Sequence, residues 1–270
     1  AGTFTIHAHA VVLAGSATSS AALAIQSGLP DPHGLVGTSL HMHPGAAVMG
    51  FHDERIEGWR GNPQSVECTE FLGFGSAAEH RVWILSGFAH PAGAAAMIPG
   101  FGPEHAAIMR RYAHASVAIA MLHDETRGIV RPWKGDALRI RYQLSHADRR
   151  QLATGLRESA RLLLAGGARE VMVPLRPILW VRSEADLDAI APERIKVGSP
   201  PLTAVHPMST MPRGHDPETS VVDPMGRYHH LDNVFVADGS LFPTSIGGPP
   251  QIPIYTFARR VARHVDALVG

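Results

Sequence analysis

The chain has 270 residues, 45% apolar and 18% charged, enough for one large domain or two intermingled ones. Its 24 basic and 24 acidic residues balance and are well mixed, which excludes the charge footprint of a nucleic-acid or anionic-lipid binder. Cys68 is the only cysteine, so intrachain disulfides and thiolate metal clusters are excluded, and no run reaches the roughly eighteen apolar residues of a membrane-spanning helix.

Residues 3–7 alternate in strand fashion, and the apolar run 10–14 follows as a buried strand. Gly15 and Ser16 break the run, and residues 17–26 read as a helix ended by Gly28. Strand, glycine turn and helix form the local unit of a dinucleotide-binding sheet, but no G-x-G-x-x-G fingerprint occurs anywhere. Residues 35–43 close at Pro44-Gly45, and 46–51, 64–71 and 81–87 are expected strands between Gly, Pro and charged turns. Residues 91–99, rich in alanine, suit a loop or a short helix. Three further strands, 117–122, 128–132 and 137–142, are separated by turns at 124–126 and 134–136, and the spacing suggests an antiparallel sheet. Asp148 opens the clearest helix, which runs to about Ala165 with the stripe Leu152, Leu156, Ala160 and Leu163, and Gly166-Gly167 ends it. A shorter helix is expected over 184–190.

From Val205 the sequence becomes more specific. A loop headed by His206 runs to Gly214, turns continue to Arg227, and residues 233–240 read as a buried strand leading into a polar turn. A stiff loop, 241–250, feeds a last helix from about Pro253 to Val269. Asp238 at a strand's C-terminal end, followed by Gly239, lies where open α/β sheets bind ligands. The Gly247-Gly248 pair allows close backbone approach, and the next helix N-terminus offers free N–H groups. These features suit either a ligand site or a structural loop. The seventeen histidines are scattered, and neither His41 with His43 nor His229 with His230 has a third ligand at a fixed spacing, so no metal site is expected.

The order His206-Pro207, Val221-Val222-Asp223-Pro224, Val236-Ala237-Asp238-Gly239-Ser240, Phe242-Pro243-Thr244 and a glycine-containing loop before the last helix resembles the signature of the glucose-methanol-choline (GMC) oxidoreductases. Val11-Val12-Leu13-Ala14-Gly15-Ser16 resembles that family's strand and turn beside the flavin. His41-Met42-His43-Pro44, with Trp59, Gly61, Gln64 and Ser65, is most similar to its long-chain fatty alcohol oxidase branch. The resemblance implies an α/β fold: part of an FAD-binding Rossmann-like domain at 1–44 and 200–270, with an antiparallel-sheet substrate domain inserted at 45–199. It implies FAD as cofactor and oxidation of an alcohol CH–OH to carbonyl, with His206 taking the hydroxyl proton while hydride passes to the flavin. Gly15, Ser16, Asp238, Gly239, Pro249, Pro250, Gln251 and Ile252 are the implied cofactor-binding positions.

Three departures stand out. The family's second active-site residue, an Asn or His, aligns with Pro249, for which Gln251, or a histidine elsewhere such as His41 or His43, is the candidate substitute. Ser209 stands where the family usually has glycine and Met211 where it has a cysteine-like residue. The Gly-rich nucleotide-binding start is absent. A second polypeptide carrying that start is therefore the expected partner, with a small-molecule alcohol as substrate; unpaired strand edges would otherwise be exposed. A nonenzymatic or inactive GMC-like subunit with a binding or structural role is the alternative, and an artificial fragment a third account. A serine hydrolase lacks its G-x-S-x-G elbow and a zinc enzyme its H-E-x-x-H. The first residues lack a secretion signal, and the location stays open between cytoplasm and periplasm.

Overall fold

The computed structural model describes residues 4–74, 79–135 and 137–270; Thr3 and Asp136, which belong to a strand and a turn expected from the sequence, lie outside them. The chain divides into two units: Ala1–Met42, Thr126–Gln143 and His206–Gly270 form the first, and His43–Glu125 with Leu144–Val205 form the second.

In the first unit, strand β1 (Val11–Leu13) leads through Gly15 into helix α1 (Ser16–Gln26). β1 pairs in parallel with β10 (Val234–Val236), Leu13 opposite Val236. Antiparallel strands β6 (Ile129–Pro132) and β7 (Leu138–Arg141) form their own ladder, and helix α5 (Gln251–Val269) closes the chain. Small residues let α1 pack closely: Ala21 and Ala24 sit with Leu13, Val36, Met211 and Val236 in one core. Residues 35–41 lie between two neighbouring backbones, since Gly37 N–H donates to the Thr210 carbonyl at 2.7 Å and Val130 N–H donates to the Gly37 carbonyl at 2.8 Å. Gly37 takes φ +75°, and a Cβ there would come within 2.5 Å of the Val130 carbonyl oxygen, so only glycine fits.

The second unit is a six-stranded sheet in the order β3-β4-β5-β2-β8-β9, antiparallel at every pairing. Its strands are β2 (Gly45–Phe51), β3 (Glu67–Cys68), β4 (Val82–Ser86), β5 (Ala115–Leu122), β8 (Glu170–Val173) and β9 (Leu179–Val181). Helix α4 (His146–Ala165) covers one face with Leu152, Leu156 and Ala160, all fully buried. The other face, including Met49, Phe51, Ala115 and Met172, packs with residues of helices α2 (Pro91–Met97) and α3 (Gly102–Arg110). This division follows from the two-residue period of strands, which sends alternate side chains of β2 and β5 to opposite faces.

Several expectations change in detail. Residues 4–7 form no ladder, and the strand at 10–14 is not buried throughout: Val11 and Val12 are 46% and 43% exposed. The ladder at 129–141 does not extend the six-stranded sheet, because both its strands are short and pair only with each other. Helix α4 begins earlier than Asp148, because the Ser145 hydroxyl accepts the Asp148 N–H at 3.0 Å and caps it. Only Glu67–Cys68 of the expected strand 64–71 pairs, and the helix expected at 184–190 is a 3₁₀ turn, Glu184–Ala189. α3, β8 and β9 have no counterpart in the sequence expectations; each is too short to show a clear period.

Candidate active site

In the first unit, the turn after β1 and the turn after β10 are tied together by one chain of hydrogen bonds. Gly15 N–H donates to Ser20 Oγ at 2.9 Å, and Ser20 Oγ donates to Asp238 Oδ2 at 2.5 Å. The other carboxylate oxygen, Oδ1, accepts Ser240 N–H at 2.9 Å and Ser240 Oγ–H at 2.5 Å. Asp238 is 7% exposed, so its carboxylate is spent on architecture: it caps the short turn Gly239–Leu241 and fixes the start of α1. Ala237 N–H donates to the Leu13 carbonyl at 2.9 Å, which continues the parallel pairing up to that point. The result is a rigid ledge with Gly15 and Ser16 exposed above it.

The loop headed by His206 is stitched to this ledge. Ser209, Met211 and Arg213 donate their N–H groups to the carbonyls of Gly239, Ser240 and Leu241 at 3.0, 2.8 and 3.1 Å. On its other side, Met208 and His41 exchange both backbone hydrogen bonds, at 2.9 and 3.0 Å. The Thr210 hydroxyl donates to the Ala17 carbonyl in α1. His206 therefore sits at the end of a segment held on both edges. Its half-buried imidazole is pushed below the ordinary histidine pKa by loss of solvent, which favours the neutral ring.

Gly239 links this loop to the last helix. A Cβ at Gly239 would stand 3.0 Å from the Pro207 carbonyl oxygen and 3.4 Å from Ile254 Cδ1, so the backbone after Asp238, the residue after His206 and the first turn of α5 are in close contact. Pro250 precedes α5 and no side chain caps it. Its first two residues, Gln251 and Ile252, point N–H groups out of the helix end, while Pro253 has none; Ile252 is 76% exposed. Pro249 is exposed and Pro250 buried, and the Gln251 amide donates to Tyr255 Oη at 2.7 Å, one turn along the helix. The exposed backbone at Ser16 and the uncapped helix start offer N–H groups, and Gly239 lacks a side chain, which together suit the ring oxygens or phosphates of a large planar cofactor.

The structure thus connects Gly15, Asp238 and Gly239 directly, and places His206 and the start of α5 beside Gly239 through Pro207 and Ile254. Sequence reading missed Ser20, the bridge between the two turns. The available signal was a serine one turn into an alanine-rich helix after a glycine turn. Among the described residues no group of three or more His, Cys, Asp or Glu could hold a metal ion, and no helix is long and apolar enough to cross a membrane.

A family model described as GMC oxidoreductase matches residues 124–258. The chain is 31% identical over 268 residues to the uncharacterized GMC-type oxidoreductase Rv0492c of Mycobacterium tuberculosis, covering 99% of this chain and 41% of that protein. It is 25% identical over 280 residues to the long-chain-alcohol oxidase FAO1 of Arabidopsis thaliana, covering 98% of this chain and 36% of the relative. The chain therefore spans about two fifths of the curated relatives it matches. Pyridoxine 4-oxidase from Mesorbium loti shares the fold with a TM-score of 0.67 at 22% identity, over 96% of this chain and 51% of that structure.

Proposed function

The chain belongs to the GMC oxidoreductases, and from that premise we propose that it is the C-terminal part of an FAD-dependent enzyme that oxidises an alcohol CH–OH to a carbonyl. FAD, when bound, supplies the hydride acceptor; this chain's residues supply position and proton handling. The observation that carries the reading is the placement of His206: a half-buried, neutral-favouring imidazole at the end of a loop pinned to the Asp238–Leu241 turn. A neutral ring nitrogen can take the hydroxyl proton, which makes removal of hydride from the carbinol carbon electrically feasible. Gly15, Ser16, Gly239, Pro249 and Pro250 before α5, and Gln251 and Ile252 in its first turn hold the flavin in this reading, with Asp238 fixing the ledge beneath it. Gln251 is the proposed second polar group of the active site in place of the family's Asn or His. In this reading the first unit, in which Thr126–Gln143 joins Ala1–Met42 and His206–Gly270, is the flavin side, and the second unit is the substrate side.

A two-chain organisation is the finer part of the proposal: a second polypeptide carries the Gly-rich turn. What supports structure over β1 is that it pairs with β10 alone among the described strands while Val11 and Val12 lie exposed, a surface that a second polypeptide or further residues of the same one would cover. Replacing His206 with Ala should leave the yellow flavin spectrum in place and slow anaerobic flavin reduction by alcohol by at least about a hundredfold. Unchanged reduction would remove His206 from the mechanism, and a purified complete protein without flavin would remove the redox reading altogether.

A further inference from the structure

Two arginines of the first unit meet at the last helix without an acidic partner among the described residues. The Arg213 guanidinium lies over the Phe257 ring, 3.9 Å from its centroid. Phe257 and Arg260 are three residues apart on α5, so their side chains are neighbours on one face of the helix. Arg260 directs Nε and Nη2 at Met225 Sδ, at 3.3 and 3.1 Å. Burial, and then the positive charge of Arg260, push the Arg213 guanidinium below the ordinary arginine pKa. Arginine stays protonated in proteins, so two positive charges stand side by side.

Both supports are neutral. A ring face and a thioether hold the guanidinium planes in place but balance no charge, and sulfur is a weak acceptor. Asp223, two residues from Met225, is already used: its Oδ1 accepts the Met225 and Arg227 N–H groups at 2.8 and 3.0 Å, and its Oδ2 lies 3.5 Å from Arg227 Nε. The partly buried Arg213 side chain has thus given up water without gaining an oxygen acceptor among the described residues, a cost that a bound anion would offset.

Two properties define that anion. The pair carries two positive charges, which a phosphate dianion balances and one carboxylate does not. The two guanidiniums also come from different segments, the loop 206–214 and α5. A planar carboxylate is filled by a single bidentate arginine, whereas the three terminal oxygens of a phosphate can accept from both. The place lies away from the flavin-facing start of α5, since Arg260 stands nine residues past Gln251, about 14 Å along the axis.

We propose that Arg213 and Arg260 bind a phosphate dianion, free or as a monoester, at a site separate from the flavin. The proposal does not depend on the flavin-dependent reading, because both charges and both supports lie within the first unit.

The test uses the complete protein with its flavin bound and ¹³C-methyl methionine, titrated with inorganic phosphate at an ionic strength held constant with chloride. The Met225 methyl resonance should shift to saturation, because Arg260 leans on its sulfur, while those of Met49 and Met172 in the second unit stay put. Glycerol phosphate should act likewise, and acetate should bind at least about tenfold more weakly. Arg260→Gln, at an exposed position, and Arg213→Gln should each weaken phosphate binding at least about tenfold, read by calorimetry where the substitution moves the reporter. Arg260→Lys, which keeps the charge and loses the fork, should fall between. Flotation of the protein with phosphatidic acid vesicles, competed by inorganic phosphate, would identify a lipid headgroup as the source; phosphate binding without flotation would identify a soluble one. A Met225 shift no larger than chloride produces, acetate binding as tightly as phosphate, or wild-type affinity in Arg260→Gln would each overturn the proposal. So would phosphate binding only after flavin is removed, since the pair would then hold the flavin's own phosphates. Phosphate binding by a complete protein that carries no flavin would overturn the oxidase reading and leave this site standing.

Discussion

Ser209 adopts φ +72°, a region that disfavours side chains, and its hydroxyl is fully buried without a hydrogen-bond partner among the described residues. Both features cost free energy, and the N–H donated to Gly239 pins the conformation. Ser209→Gly should raise stability by about 1 kcal/mol in denaturant unfolding, provided the loop keeps its bonds. Three residues earlier, His206 gives a pH prediction. Burial lowers its pKa in the folded chain, so between that value and about 6.5 the unfolded chain binds more protons than the folded one. Stability from this group is therefore full above about 6.5 and falls as pH drops towards the folded value, below which it is flat. If His206 is the base, kcat/KM should follow the same neutral ring, rising with pH through a midpoint below the ordinary histidine value to a plateau. A pH–rate profile with its acidic limb above that midpoint would contradict the assignment.

The same close packing governs the elements. In α4, a Cβ at Gly155 would lie 2.5 Å from Val82 Cγ1 and 2.8 Å from the Ala120 Cβ, both on the sheet below. Gly155→Ala gains about 1 kcal/mol in helix propensity but overpacks a β-branched neighbour at a cost of about 1 to 3 kcal/mol, so net destabilisation is expected in thermal unfolding. At the head of α4, Asp148 is fully buried and faces Arg81, which is 7% exposed on its side chain, at 3.3 Å. Asp148 also accepts Glu125 N–H through both oxygens at 3.2 Å. Asp148→Asn removes the buried carboxylate from Arg81, which keeps Glu125 Oε1 at 3.2 Å, and should cost about 1 to 3 kcal/mol. What was legible from sequence follows the same division. The α4 stripe and the strand into Asp238-Gly239 could be read because a helix period and a strand–turn boundary are local signals. The Ser20–Asp238 bond and the Arg81–Asp148 pair could not, since each joins residues far apart in sequence. Family motif order singles out His206, Gly15 and Asp238 as candidates, whereas the second unit's cavity walled by Met49, Met97 and Met172 arises only once β2, β5 and β8 stand side by side.

At the scale of the molecule, β1 sets the strongest requirement. Adjacent strand residues point to opposite faces, yet Val11 and Val12 are both exposed, so neither face of this strand is fully covered. Val12 borders a groove of about 300 Å³ lined by Ala258, Val261, Ala262 and Val265 of α5. A parallel strand is ordinarily buried on both faces, because crossover helices cover each side of the sheet. The exposed valines and the apolar groove together mark surface that a covering layer would remove from water, at about 1.5 to 3 kcal/mol for each fully buried valine. Val12→Lys places a charge on that surface. It should leave the second unit's sheet and its buried Arg81–Asp148 pair untouched, since these residues all lie within their own unit. If a second polypeptide completes the flavin fold over β1, the variant should lose that polypeptide and the flavin together during purification, while the second unit's methionine resonances keep their positions. Co-elution of partner and flavin with Val12→Lys at wild-type stoichiometry would show that β1 is covered in some other way.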